Sequence, residues 1–256
     1  MYGTRGIQPR PGQAFEEVTA PPSTYEDLAR LIDYPLLEPE LTDDRVVEGL
    51  NLARRYAVAS ATVRPCDIDL AARTLQGSAV RTAAVCGFPH GTQNTATKLY
   101  EARDLLRRGA REIEAVIGIP KLLSREFQYV QMELQQLSEI CHKEGALLKV
   151  IFENVYLTDE LKIIACRCCE RAEADFVATS TGFASAGYTL EDIRLMRKYS
   201  PEEMAVKASG QIRSVGQALE AVAAGASRLG TAAAAEILDE WKARMTPASP
   251  PEPAAR

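Results

Sequence analysis

The sequence predicts a single closed (β/α)8 barrel, and three observations predict it. Short β-branched runs alternate with longer amphipathic runs eight times in about 200 residues, the pattern of parallel strands returned by helices. Glycines stand where helical runs must turn back, at Gly109 in R-R-G-A, Gly145 in K-E-G-A and Gly225 in A-A-G-A. No G-x-G-x-x-G turn follows an early strand, as an open, doubly wound nucleotide-binding sheet would show.

In chain order, the strands are expected at 31–33, 57–63, 81–86, 112–117, 147–152, 175–179, 205–208 and 228–230. Each is followed by a helix, near 43–56, 66–76, 94–108, 125–145, 158–173, 189–199, 214–224 and 232–244. Thr42 before Asp43 and Asp44, Thr158 before Asp159 and Glu160, and Thr189 before Glu191 are helix-opening signals. The barrel is expected to run from 24 to 245. The Gly/Pro/Thr-rich stretch 1–23 and the Pro/Ala-rich tail 246–256 have little to bury and are expected to be disordered.

Composition narrows the function. A net charge of -5 without a Lys/Arg run argues against nucleic acid as a partner. No apolar run approaches the roughly 20 residues of a membrane span, and the first residues lack a secretory signal, so a cytoplasmic protein is expected. Of the six cysteines, Cys166, Cys168 and Cys169 form a C-R-C-C run, but the distant second pair of a zinc site is missing. Buried thiols are the expectation, with no metal and no cofactor motif.

Chemistry in a parallel barrel belongs at the C-terminal ends of the strands. Those ends read Asp33, Thr62, Cys86 with the G-F-P-H-G turn, Glu112/Glu114, Lys149 with Glu153, T-S-T-G-F, Lys207 and G-T-A-A-A. A barrel interior is normally branched aliphatic, and a buried charge costs several kcal/mol unless paired. Glu114, Lys149, Glu153 and Lys207 are therefore a neutralising cluster or catalytic groups. His90 is expected to hydrogen-bond within its turn, His142 to lie on the surface, and Tyr34 to pack.

The segments L-I-D-Y-P-L-L, G-F-P-H-G, K-L-Y-E-A, L-K-V-I-F-E, A-D-F-V-A-T-S-T-G-F, V-K-A-S-G-Q-I-R and G-A-S-R-L-G-T, in order from Leu31 to Thr231, resemble the deoxyribose-phosphate aldolases. The resemblance implies a (β/α)8 barrel that makes and breaks C–C bonds through a lysine Schiff base. It also implies a small-molecule substrate and a homodimer. Its sixth-strand pattern V-K-T-S-T-G reads V-A-T-S-T-G here, with Ala178 at the position of the nucleophilic lysine. A methyl group cannot add to a carbonyl. The second family lysine falls on Lys207, and the fourth-strand aspartate falls on Glu114.

The phosphate grip implied by the resemblance is changed as well. Its Gly-Gly turn reads Gly210-Gln211 and its serine pair reads Ala232-Ala233, while Gly182 and Arg213 remain. The expected catalytic residues are Lys207, Glu114, Glu153 and Asp33. Substrate contacts are expected from Lys149, Thr62, Ala178, Thr179, Ser180, Gly182, Gly210, Gln211 and Arg213. The leading expectation is acid/base C–C bond formation, cleavage or cyclisation on a carbonyl compound without phosphate. An aldolase with an engineered lysine-to-alanine change would explain Ala178 but not Gln211, Ala232, Ala233 and Glu114. A non-covalent cyclase pocket or a metabolite-binding relative is the remaining alternative.

Overall fold

The computed structural model describes residues 21–245, so most of 1–23 and all of 246–256 lie outside the described residues. Eight parallel strands close into one barrel in sequence order. They are β1 (Ile32–Leu36), β2 (Ser60–Val63), β3 (Arg81–Cys86), β4 (Glu112–Val116), β5 (Leu147–Ile151), β6 (Phe176–Ala178), β7 (Ala205–Ser209) and β8 (Arg228–Gly230). Closure is made by β1 against β8, with Ile32 opposite Leu229 and Asp33 opposite Gly230.

The helices are α1 (Tyr25–Ala29), α2 (Asp43–Tyr56), α3 (Ile68–Thr74), α4 (Thr95–Arg107), α5 (Ile119–Leu123), α6 (Phe127–Lys143), α7 (Asp159–Arg171), α8 (Leu190–Tyr199), α9 (Val215–Ala223) and α10 (Ala234–Met245). Thr158 and Thr189 cap their helices through Leu161 and Asp192 amides. Thr42 makes no such bond, leaving Asp43 and Asp44 to favour that helix start.

Three expectations are corrected. The first strand does not end at 33 but continues to Leu36, which places Asp33 near its start rather than its C-terminal end. The helix expected at 125–145 is preceded by the separate short helix α5, and Arg125 between them takes φ 60°, which breaks the helical path. α1, closed by a reciprocal Thr24–Asp27 capping box, precedes the first strand. Ahead of it Pro22 is buried and the Ser23 amide donates to Asp27.

The period of two along each strand sorts the chemistry. Ile113, Ala115, Leu148, Val150, Val177, Val206 and Ala208 join the apolar layer between sheet and helices. The alternate positions face the barrel axis. Leu147, Phe176 and Ala205, each first in its strand, form a separate apolar cluster at the N-terminal end of that interior. Above it the interior is ionic.

Candidate active site

Three carboxylates and three cations meet inside the barrel. Lys207 Nζ lies 2.6 Å from Glu114 Oε1 and 3.0 Å from Asp33 Oδ2. Lys149 Nζ lies 2.5 Å from Asp33, 2.6 Å from Glu112 and 3.4 Å from Glu114. Arg228 bridges Asp33 and Glu112, 3.1 Å from the latter. Ser60 Oγ donates to Asp33 at 2.6 Å, and Thr62 Oγ1 donates to Glu114 at 3.0 Å. Below them the Phe176 ring faces both Lys149 Nζ, 5.3 Å from its centroid, and the Arg228 guanidinium at 5.5 Å.

The formal charges of these six groups cancel, which is what allows them to be buried. Burial pushes the Asp33 carboxyl up, but Arg228, Lys149 and Lys207 outweigh it and hold that group well below the ordinary carboxylate range. Glu112 follows the same balance, lowered by Lys149 and Arg228. Burial pulls Lys149 down, and Asp33, Glu112 and Glu114 more than restore it, so it stays charged.

The cavity above this network has a volume of about 580 Å³. Asp33, Thr62, Glu114 and Lys207 line it, together with Ser180, Gly182, Gly210, Gln211 and Arg213. Pro35, Leu37, Phe88, Ile151, Ala232 and Ala233 make up apolar parts of its wall. Lys149, Thr179, Ala178 and Glu153 are outside the lining residues. Lys149 is fully buried in the ionic layer, and Thr179 Oγ1 bonds the Ser209 backbone in both directions. Ala178 is fully buried on β6, in register between Ile151 and Lys207, which both reach the cavity.

Glu153, two residues past the end of β5, takes φ 56° and accepts bonds from the Thr181 amide, at 3.1 Å, and the Thr181 hydroxyl. Burial pushes its carboxyl up, against the Thr181 bonds and His90, which lower it. Its contacts tie the loop after β6 to the end of β5. That loop also carries Phe183, whose ring meets Phe88 edge-on at 5.3 Å between centroids. His142 is not a surface group as expected: it is 15% exposed and bonds Asp175 at 3.0 Å and Ser138 at 3.2 Å. His90 and Cys66 are exposed, and the other five cysteines are buried.

Sequence reasoning missed Arg228, Ser60 and Glu236 as site residues and left Glu112 without a role. The alternation signal was present for Glu112, two positions before Glu114. For Arg228 the signal was a guanidinium two positions before Gly230, on the same inward face. Gly210 has φ 89°, and a Cβ there would stand 2.7 Å from the Gly187 Cα, so only glycine fits. Gln211 follows at φ 69°, a left-handed conformation that costs a non-glycine residue about 1 kcal/mol or more. Gln211→Gly is expected to raise stability by roughly 0.5–1 kcal/mol after the entropy cost of glycine, read as a higher Tm. A fall in Tm would mean the Gln211 side chain supports the turn.

A closed (β/α)8 barrel with lysine and carboxylate pairs on the floor of a cavity at its C-terminal face has the layout of a barrel enzyme's active site. The DeoC/LacD family aldolase model matches residues 45–233. The deoxyribose-phosphate aldolase of Rhodopirellula baltica is 41% identical over 221 residues, covering 86% of this chain and 92% of that one. A Coccidioides immitis structure assigned as a deoxyribose-phosphate aldolase superposes with TM-score 0.84 at 33% identity, covering 87% of this chain and 88% of the other. The tetrameric deoxyribose phosphate aldolase of Aeropyrum pernix superposes with TM-score 0.80 at 32% identity, covering 87% and 94%. The chain belongs to the DeoC/LacD aldolase family.

Proposed function

We propose that this family member works on a carbonyl-bearing small molecule without phosphate, by acid/base chemistry at Lys207 and Glu114 rather than through an imine at position 178. One observation carries the reading: the position that resembles the imine-forming lysine is Ala178, while Lys207 and Glu114 stand 2.6 Å apart on the cavity floor. Lys207 donates to the substrate carbonyl oxygen and polarises it. Glu114 takes a proton from the adjacent carbon or hydroxyl, and Thr62 holds the carboxylate in place. The electron pair released makes or breaks the neighbouring C–C bond, and the proton returns from Glu114. Aldol addition, its reversal and ring closure all fit this scheme.

Imine formation at Lys207 itself is disfavoured, because its contacts with Glu114 and Asp33 would have to be given up before the nitrogen attacked a carbonyl. Glu153 acts as a positioning residue for the loop after β6, and Lys149, Arg228 and Glu112 hold the floor. Self-association accompanies the reading, with a homodimer as its simplest form; the related Aeropyrum pernix enzyme is a tetramer and supports an oligomer without fixing its size.

The loss of phosphate grip rests on Gln211, Ala232 and Ala233, which remove one glycine approach and two hydroxyl donors from the cavity wall. Deoxyribose 5-phosphate at millimolar concentration is expected to leave the Tm unchanged, since a ligand stabilises only in proportion to its occupancy. A clear upward shift in differential scanning fluorimetry would restore a phosphorylated substrate.

A further inference from the structure

The cavity carries two charges outside the ionic floor, and neither is used by the chemistry above. Arg213, on the segment between β7 and α9, and Glu236, in the first turn of α10, both line it. Among the described residues neither side chain makes a hydrogen bond or an ion pair; the Arg213 contact to Gln217 runs through its backbone amide. Glu236 is not alone. It acts with Glu38 on the half-buried Tyr34, whose phenol is raised first by burial and then by these two carboxylates. The other nearby cation, Arg64, is bound 2.6 Å from Asp67 while it donates to the Glu38 carbonyl. On the α10 side of the cavity Glu236 is therefore a lining carboxylate without a cation partner among the described residues, and Arg213, after β7, is the unpaired cation of the same wall. On the β6 side of the same cavity Ser180 Oγ is buried without a hydrogen-bond partner among the described residues, the mark of a hydroxyl waiting for a ligand.

Resting on the reading of this cavity as the substrate site, we propose that Glu236 sets the substrate class: it turns the outer end of the cavity away from phosphate and toward a protonated amine on a hydroxylated substrate. The amine meets the Glu236 carboxylate, a substrate hydroxyl satisfies Ser180, and the carbonyl lies inward at Lys207. A dianionic phosphate at the same end would meet the Glu236 carboxylate, with Arg213 as the lining cation outside the ionic floor and no serine hydroxyls at 232 and 233. Glu236 also favours its helix N-terminus, a purely structural role that would not discriminate between ligands.

The test uses three unreactive five-carbon probes, ribitol, 1-amino-1-deoxyribitol and ribitol 5-phosphate, titrated calorimetrically into the full chain. The amine is expected to bind about fivefold more tightly than ribitol, the upper range for a solvent-accessible ion pair, and the phosphate more weakly than ribitol. Glu236→Gln is expected to bring amine and ribitol within about twofold of each other, and Glu236→Lys to reverse the order in favour of phosphate. Equal binding of amine and ribitol, with phosphate weaker, overturns this inference and leaves the non-phosphorylated reading standing. Phosphate binding tightest overturns both. An amine preference that survives Glu236→Gln, or no binding of the amine at all, also overturns the role of Glu236.

Discussion

Ala178→Lys is expected to form a covalent adduct with acetaldehyde under borohydride, at position 178, where the native chain forms none. The new side chain would extend from the last residue of β6, in register with Ile151 and Lys207, both of which reach the cavity. It would stand about 5 Å from the Lys207 side chain, the spacing of neighbouring strands. At that distance two bare like charges repel by roughly 3 kcal/mol at an effective dielectric of 20, a ceiling that the Glu114 and Asp33 carboxylates beside Lys207 reduce. The new amine would thus be driven toward its neutral, nucleophilic form near pH 7 while Lys207 stays paired with Glu114 and Asp33. Intact mass and peptide mapping read the result, with circular dichroism as the check on folding. An adduct at Lys207 in the native chain would mean that imine chemistry has moved to β7. Absence of any adduct in the folded variant would mean that the cavity does not admit a small carbonyl compound.

Lys207→Met is expected to lower turnover by a factor of about 10²–10⁴, the range for a group that donates to the reacting oxygen. Turnover is followed as aldol formation or cleavage across a panel of short aldehydes and hydroxylated carbonyl compounds. The same change leaves Asp33, Glu112 and Glu114 with Lys149 and Arg228 inside the barrel and the half-exposed Arg81 3.6 Å from Glu112, and breaking a buried pair costs about 3–5 kcal/mol. Pairing it with Glu114→Gln restores an equal count of two acids and two bases, so the double variant is expected to recover Tm but not turnover. Recovery of both would make the ionic floor structural. Unchanged turnover in Lys207→Met would remove this lysine from the chemistry.

The barrel and the catalytic candidates were legible for local reasons. Glu112 and Glu114 in an apolar β4, Lys149 in β5 and Lys207 in β7 stand out as charges on strands that are otherwise aliphatic. Alternation of strand and helix is a property of short segments, as are caps such as Thr158 and Thr189, so neither requires knowledge of distant contacts. The end of β1 was not legible, because Tyr34–Leu36 contain a proline and extend only by pairing with Ala61, Thr62 and Val63. His142 likewise reads as a surface residue late in a helix until Asp175, 33 positions away, is folded against it.

By itself the sequence determined the order of strands and helices, the charges placed on inward positions, and the methyl group at 178. Tertiary structure decided which charges meet and which remain free. Asp33 and Arg228 are 195 residues apart, yet closing β8 on β1 joins them and completes the ionic floor. The same closure brings Glu236 to the cavity that holds Lys207 and leaves it unpaired there. Local patterns encode which face a residue presents; partnership across a barrel depends on the register and shear of all eight strands, which no segment specifies alone.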